Sequence, residues 1–275
     1  MGIFCYTKRM EKFNSQKHSE YIKDLPFSYF SSIPYLDFIA YSFERNNEHL
    51  IVWQDIIYPH DFPSIFLPRN KSNWVNVSVA FVMPEEIEKI KSEKIEIKFT
   101  NTVVQEYFYK TDTLLNPKGK LGQRIRQFEK NYEYKIYNSY PLDKVNNFFE
   151  FWKRQREHDS LTFEEGEKHF VFLLDKLDQY DIKQVYIEVG GNLVGLAWGV
   201  KHQSGNWVGL HLKVNYEYKG LSRFLHQERA KLFKDYKLFT LGTGSHDSGI
   251  TQFKEELGPS LIIDYQYVLT GDKIK

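Results

Sequence analysis

The alternation of apolar and polar positions changes character near the middle of the chain. Before residue 118, residues 74–82 and 95–99 alternate as strands do, residues 50–58 form a short apolar run, and prolines interrupt much of the rest. From residue 118 onward, segments with helical spacing and segments with strand alternation follow one another closely. We therefore expect an irregular first part and a well-defined second part.

In the second part the pattern predicts the order β-α-α-β-β-β-α-β-α-β, preceded by a basic helix. The predicted strands are 132–137, 184–189, 193–200, 207–214, 238–241 and 261–269, and the predicted helices are 118–131, 142–156, 164–178, 220–236 and 250–257. Short turns make the three consecutive strands an antiparallel meander, and the helix after the third strand implies a crossover to a parallel neighbour. This combination predicts the α+β class, with a cleft where the parallel strands part.

Composition narrows the class of protein. The 275 residues include 37 Lys and Arg against 36 Asp and Glu, and this balance argues against a protein that coats nucleic acid but leaves room for a local basic patch. A single Cys excludes an intrachain disulfide, and no His, Asp or Glu spacing indicates a metal site. Because no apolar run approaches the roughly 18–20 residues that span a bilayer, we expect a soluble cytoplasmic protein.

Three segments resemble acyl-transferring enzymes. Residues 214–220 (VNYEYKG) resemble the strand-to-helix turn V-x-P-E-Y-R-G of the GNAT N-acyltransferase superfamily. Residues 116–132 and 249–259 resemble the C-terminal catalytic region of phosphatidylglycerol lysyltransferases. The F-K-x-x-x-G element at 253–258 is similar to that of the Fem-type peptidyltransferases.

This resemblance implies two tandem GNAT-like domains, each a mixed, mostly antiparallel sheet flanked by helices. We place them at 1–131, a degenerate domain ending in the basic helix, and 132–275. The implied activity is direct transfer of an aminoacyl group from aminoacyl-tRNA to an amine or hydroxyl acceptor, without a permanently bound cofactor. Two alternatives stay open: an N-acyltransferase that uses acetyl- or acyl-coenzyme A, and a non-catalytic binding module.

Two residues are candidates for the chemistry. The resemblance implies that Lys254 lies near the reaction centre, where a cation can stabilise a tetrahedral oxyanion. The alternative is a surface lysine paired with Glu255 or Glu256. His211 lies in a strand that lines the predicted cleft, and a neutral imidazole there can accept the proton of the acceptor.

A second group of residues is predicted to bind the donor, with a tRNA acceptor end as the candidate partner. These residues are Lys219, Gly220, Arg223, Lys120, Arg124, Thr243 and Ser245. The first three lie at the helix start where the GNAT fold binds phosphate, the next two share one face of the basic helix, and the last two belong to a glycine-rich loop. The alternatives are an ordinary helix start, a solvated helix face and a surface connection.

Overall fold

A computed structural model of the protein describes residues 10–23, 25–45, 48–53, 64–66, 74–76, 78–155, 163–243 and 248–274. The first half of the chain contributes the strands β1 Met10–Lys12, β2 Ala40–Arg45, β3 Glu48–Trp53, β4 Ser64–Phe66, β5 Ser78–Val82 and β6 Ile95–Lys110, and the helices α1 Ser19–Ile22, α2 Ile33–Ile39 and α3 Pro84–Ser92. The second half contributes the strands β7 Tyr134–Tyr137, β8 Lys183–Val189, β9 Asn192–Lys201, β10 Trp207–Val214, β11 Leu238–Thr243 and β12 Leu261–Lys273, and the helices α4 Thr111–Leu115, α5 Gly119–Asn131, α6 Leu142–Arg154, α7 Phe163–Leu174, α8 Leu221–Leu232 and α9 Ser248–Glu256. The α+β class is as the sequence predicts.

The described chain forms two compact units. The first contains Met1–Glu106 and Ile262–Lys275, and the second contains Tyr107–Leu261. In the first unit the strand order is β1-β2-β3-β4-β5-β12-β6. In the second unit the end of β6 is followed by β11-β10-β9-β8-β7. Strand β10 pairs in parallel with β11, whereas β9 pairs antiparallel with β10 and with β8, and β7 pairs antiparallel with β8.

The first unit has an aromatic core. The ring of Phe30 lies 4.2 Å from that of Phe81, and both pack on Tyr265. Helix α3 begins at Pro84, and Glu86 accepts a hydrogen bond from the amide of Met83. Strand β6 extends far beyond the predicted 95–99, and near its end four consecutive residues, Glu106, Tyr107, Phe108 and Tyr109, are buried.

The second unit is a sheet covered by helices on both faces. On one face, Phe128 of α5 packs 4.9 Å from Phe224 of α8, and α8 lies close to the sheet. On the other face, Phe170 of α7 stacks on Trp198 of β9 with their ring centroids 4.4 Å apart. Helices α6 and α8 and the β8-β9-β10 meander lie where the periodicity predicts them.

The boundary between the units differs from the predicted division at 131/132. Because Ile125 and Phe128 of α5 are buried against α8, the basic helix packs inside the second unit rather than linking two domains. At the other end of the chain, β12 pairs with β5 and belongs to the first unit from Ile262 onward. That each unit corresponds to one acyltransferase-like domain stays a prediction.

The sheet and α8 approach each other so closely that Gly209 of β10 tolerates no side chain. A Cβ at this position would lie 2.6 Å from Nη2 of Arg229 and 2.6 Å from a methyl group of Leu241. We expect Gly209→Ala to lower the free energy of unfolding by about 1–3 kcal/mol, measured by urea denaturation, because the buried side chains must shift.

Gly166 of α7 provides the matched control, because nothing lies within 4 Å of a Cβ there. Gly166→Ala should leave stability unchanged or raise it by up to about 1 kcal/mol, since alanine favours a helix over glycine. Equal effects of the two substitutions would contradict the close packing of α8 on the sheet.

Candidate active site

The parallel strands β10 and β11 part soon after they begin. Their paired residues are Trp207 with Phe239 and Val208 with Thr240. Beyond these pairs β10 continues along β9 as far as Val214, whereas β11 ends at Thr243. The cleft predicted between the parallel strands would therefore lie past Val208 and Thr240.

Lys254 of α9 places its ammonium group where β11 ends. The residue is 6% exposed, and its Nζ donates hydrogen bonds to the carbonyl oxygens of Leu241, at 2.9 Å, and Thr243. Tyr109 donates its hydroxyl hydrogen to the carbonyl oxygen of Lys254 at 3.0 Å, which fixes the main chain of α9 at this residue. Lys254 is thus a buried cation on a strand end and not the surface lysine of the alternative interpretation.

Arg229 of α8 is a second buried cation beside the same split. Its side chain is 1% exposed and donates to the carbonyl oxygens of Trp198, at 2.9 Å, and His211, at 3.2 Å. The register of β9 and β10 shifts between Gly209 and His211, and a shifted ladder needs other donors for its carbonyl groups. Burial lowers the pKa of Arg229 to about 9, so the guanidinium stays charged at neutral pH.

His226 lies between the cations of α8 and α9. Arg229 donates Nη2–H to Nδ1 of His226 at 2.9 Å, and because arginine has no acceptor, the proton of the neutral imidazole is on Nε2. Burial, together with the charges of Arg229, Arg223 and Lys254, holds the pKa of His226 well below its ordinary value. The imidazole is therefore neutral at physiological pH.

His211 faces the other side of the sheet. Its ring lies 5.0 Å from the ring of His169 and 5.3 Å from that of Phe170. Among the described residues its Nε2 has no hydrogen-bond partner. Burial first, and the neighbouring His169, Lys213 and Arg229 second, lower the pKa of His211, so its imidazole is neutral at physiological pH. No described contact joins His211 to Lys254.

Lys213, two residues further along β10, lies in a box of aromatic rings. Its Nζ is 3.6 Å from the ring centroid of Trp152, 5.4 Å from that of Phe170 and 5.5 Å from that of Phe149. A cation over ring faces is stabilised by their quadrupoles. Sequence reasoning missed this lysine, although its spacing from His211 places both residues on one face of β10.

Four main-chain amides around the turn that precedes α8 donate hydrogen bonds inside the protein. The amide of Tyr216 donates to the side chain of Gln155, those of Glu217 and Tyr218 donate to Asn215, and that of Leu221 donates to Tyr218. Gly220 has φ 91°, and a Cβ there would lie 2.2 Å from the carbonyl oxygen of Arg124. Helix α5 thus packs closely against this turn.

The other predicted donor-binding residues divide into two groups. Lys120 and Arg223 are brought together by the carboxylate of Glu256, at 3.1 and 2.9 Å. Arg124 and Lys219 are exposed, and Arg124 bonds Gln127 on its own helix.

The predicted glycine-rich loop is described only in part. Thr243 takes part through its carbonyl oxygen, which accepts from Lys254. Ser245 lies outside the described residues. No group of three or more His, Cys, Asp or Glu within the described ranges is placed to hold a metal ion. None of the helices that the structure describes has the length and apolar character needed to cross a membrane.

The order of elements from β7 to β12, with β10 and β11 parallel, is the order that the sequence predicts. The fold is similar to that of a conserved protein of unknown function from Bacteroides thetaiotaomicron, with a TM-score of 0.78 and 13% identity over 94% of this chain and 99% of that one. It is also similar to a C-terminal domain assigned to a lysylphosphatidylglycerol synthetase of Agrobacterium fabrum, with a TM-score of 0.60 and 9% identity over 87% of each chain. FemX matches with a TM-score of 0.61 and 10% identity over 94% of this chain and 96% of its own.

The predicted resemblance to lysyltransferase and Fem-type proteins is thus confirmed in fold. The sequence itself matches no protein-family model and no curated protein. At these identities the likeness is one of fold, and the chemistry has to be argued from the residues of this chain.

The two neutral buried histidines make stability depend on pH. His211 and His226 have pKa values lowered from 6.5 in the folded protein, so the unfolded chain binds more protons in mildly acidic solution. We expect the free energy of unfolding to fall as pH decreases below about 6.5, by up to about 1.4 kcal/mol per pH unit for each histidine.

Urea denaturation at pH 7.5, 6.5 and 5.5 measures this slope. His226→Gln should reduce this slope by the contribution of one histidine, because glutamine does not take up a proton in the unfolded state. An unchanged slope in this variant would show that His226 is protonated in the folded protein.

Proposed function

We propose that the protein is an acyltransferase that moves an aminoacyl group from aminoacyl-tRNA directly to an amine or hydroxyl acceptor. The observation that carries this proposal is the buried ammonium of Lys254, held on the carbonyl oxygens of Leu241 and Thr243 beside the split between β10 and β11. The similarity in fold to FemX and to the lysylphosphatidylglycerol synthetase domain supports the class of reaction.

The proposed reaction needs no covalent enzyme intermediate. The acceptor attacks the ester carbonyl carbon, a tetrahedral oxyanion forms, and its collapse releases the terminal hydroxyl group of the tRNA. A cation that is already fixed stabilises the oxyanion without reorganisation, and Lys254 is fixed by the carbonyl oxygens that it binds. Holding both substrates in one cleft supplies proximity.

His211 is the proposed proton acceptor for the attacking group. Its low pKa keeps the imidazole neutral, and its Nε2 makes no hydrogen bond within the described ranges. Since its side chain lies on the α7 face, the acceptor would enter from that face and the donor from the α8 face.

The start of α8 favours aminoacyl-tRNA over coenzyme A as the donor. A pyrophosphate at this helix start would need main-chain amides, and four of those around it, from Tyr216, Glu217, Tyr218 and Leu221, donate to acceptors inside the protein. The exposed cations Lys120, Arg124 and Lys219, with the half-buried Arg223, instead suit phosphates along a nucleic-acid backbone. In this proposal the donor is a substrate, no cofactor is permanently bound, and the protein works in the cytoplasm, where aminoacyl-tRNA is made.

The central test is Lys254→Met. We expect the rate constant of aminoacyl transfer to fall by about 10²–10³, the usual effect of removing one oxyanion donor, with affinity for aminoacyl-tRNA nearly unchanged. The assay follows the loss of radiolabelled amino acid from tRNA in the presence of candidate amines. Thermal unfolding by circular dichroism is run beside it, because two carbonyl oxygens lose their donor.

The control is Lys231→Met, which removes an exposed lysine of α8 that pairs with Glu228. It should transfer at the wild-type rate. Full activity of a folded Lys254→Met protein would show that Lys254 does not act in the reaction.

The identity of the donor has its own test. Bulk tRNA should shift the protein in native electrophoresis, and the shift should weaken with added salt and in the double variant Lys120→Ala/Arg124→Ala, because backbone contacts release counterions. Isothermal titration with acetyl-coenzyme A should give no heat. Heat with the coenzyme and no shift with tRNA would favour the coenzyme-dependent alternative, and inactivity with every donor would favour a binding module.

A further inference from the structure

The carboxylate of Glu256 joins cations from two other helices. Its Oε1 lies 3.1 Å from Nζ of Lys120, at the start of α5, and its Oε2 lies 2.9 Å from Nη2 of Arg223, in the first turn of α8. Neither of those first turns carries an acid of its own. The acid that neutralises this positive surface is therefore supplied by α9.

One of these cations has a second contact besides the carboxylate. The guanidinium of Arg223 lies 4.4 Å from the ring centroid of Phe253, on the same helix as Glu256. A guanidinium stacked on an aromatic ring is held by packing as well as by charge. If the carboxylate moved away, Arg223 would still present its N–H groups at the same point.

The ion pairs themselves are exchangeable. The side chain of Lys120 is 66% exposed, and those of Arg223 and Glu256 are 27% and 28% exposed. Exposed pairs contribute at most about 1 kcal/mol each, whereas a phosphate brings equal or greater charge and geometry that matches an arginine fork. The hydrogen bonds from Lys120 and Arg223 lower the pKa of Glu256, so the carboxylate is charged at neutral pH.

We infer that Lys120 and Arg223 form a phosphate-binding subsite that Glu256 occupies until the phosphate of the donor displaces it. Helix α9 carries both Glu256 of the subsite and Lys254 of the proposed reaction centre. The inference rests on the proposed function for the donor's identity only. Phosphate in tRNA and phosphate in a coenzyme share the chemistry, and the experiment separates them.

The test compares Glu256→Gln with Glu255→Gln. Both variants lose one negative charge from α9, but Glu255 is exposed beside Glu256 and serves as the control for net charge. Affinity for labelled bulk tRNA is measured by fluorescence anisotropy, and affinity for acetyl-coenzyme A by isothermal titration. Thermal unfolding confirms that both variants are folded.

We expect Glu256→Gln to bind tRNA about fivefold more tightly, which corresponds to about 1 kcal/mol of released competition, and Glu255→Gln to change affinity less than twofold. Adding Arg223→Gln to Glu256→Gln should abolish the gain. A gain for the coenzyme alone would support the subsite and contradict the tRNA donor.

Equal effects of the two glutamine variants, or no gain with either ligand, would overturn the inference. Aminoacyl transfer by the wild-type protein is measured separately. If the wild-type protein transfers the aminoacyl group but Glu256→Gln does not bind either ligand more tightly, the proposed function stands and Glu256 plays no part in it. If Glu256→Gln binds more tightly but no transfer is detected, the subsite stands and the proposed activity is wrong.

Discussion

A sheet that shifts register and then opens cannot pair all of its main-chain groups within its own ladder, and in this protein two buried cations supply donors there. Arg229 serves the carbonyl oxygens at the irregularity between β9 and β10, and Lys254 serves those at the end of β11. Buried polar groups must be satisfied, so these cations are required by the opening itself. The positive character of the site follows from the geometry of the backbone, and so does the need for Gly209, which admits the guanidinium.

The cations near the point where β10 and β11 part are of two kinds. Lys254 and Arg229 are buried and fixed by main-chain oxygens, so they offer a charge whose position does not change when a substrate arrives. Lys120 and Arg223 are accessible and share a carboxylate that water also reaches, so their partner can be exchanged. A fixed charge suits the stabilisation of an oxyanion, and an exchangeable pair suits a ligand that must leave after each turnover. His226, neutral and hydrogen-bonded to Arg229, lies between the two kinds.

Periodicity predicts the elements of the second unit well because each has one buried face. It predicts the start of the first unit poorly, and it ends β6 too early, because the outward face of that strand is polar over much of its length. Periodicity does not identify Lys254, which is found only through the resemblance. It also misses Arg229 and Lys213, since a charged residue on an amphipathic element is taken for a surface residue.

One available signal for a helix packed closely on the sheet was the set of glycines on neighbouring strands, Gly195, Gly199 and Gly209. The boundary between the units depends on contacts of α5 with α8 that no local pattern encodes.

If the protein has the proposed function, its near-neutral net charge affects how it binds and releases tRNA. With 37 basic and 36 acidic side chains, the protein has little general attraction for nucleic acid, so any binding depends on a few local phosphate contacts. Aminoacylated and free tRNA carry the same phosphates, and a strongly basic surface would retain the product as firmly as the substrate. A carboxylate that competes for the same cations weakens both complexes equally and therefore favours release of the free tRNA. On the proposed function, selection of the aminoacylated form would then fall to the buried site around Lys254, which would bind the ester and not the phosphate.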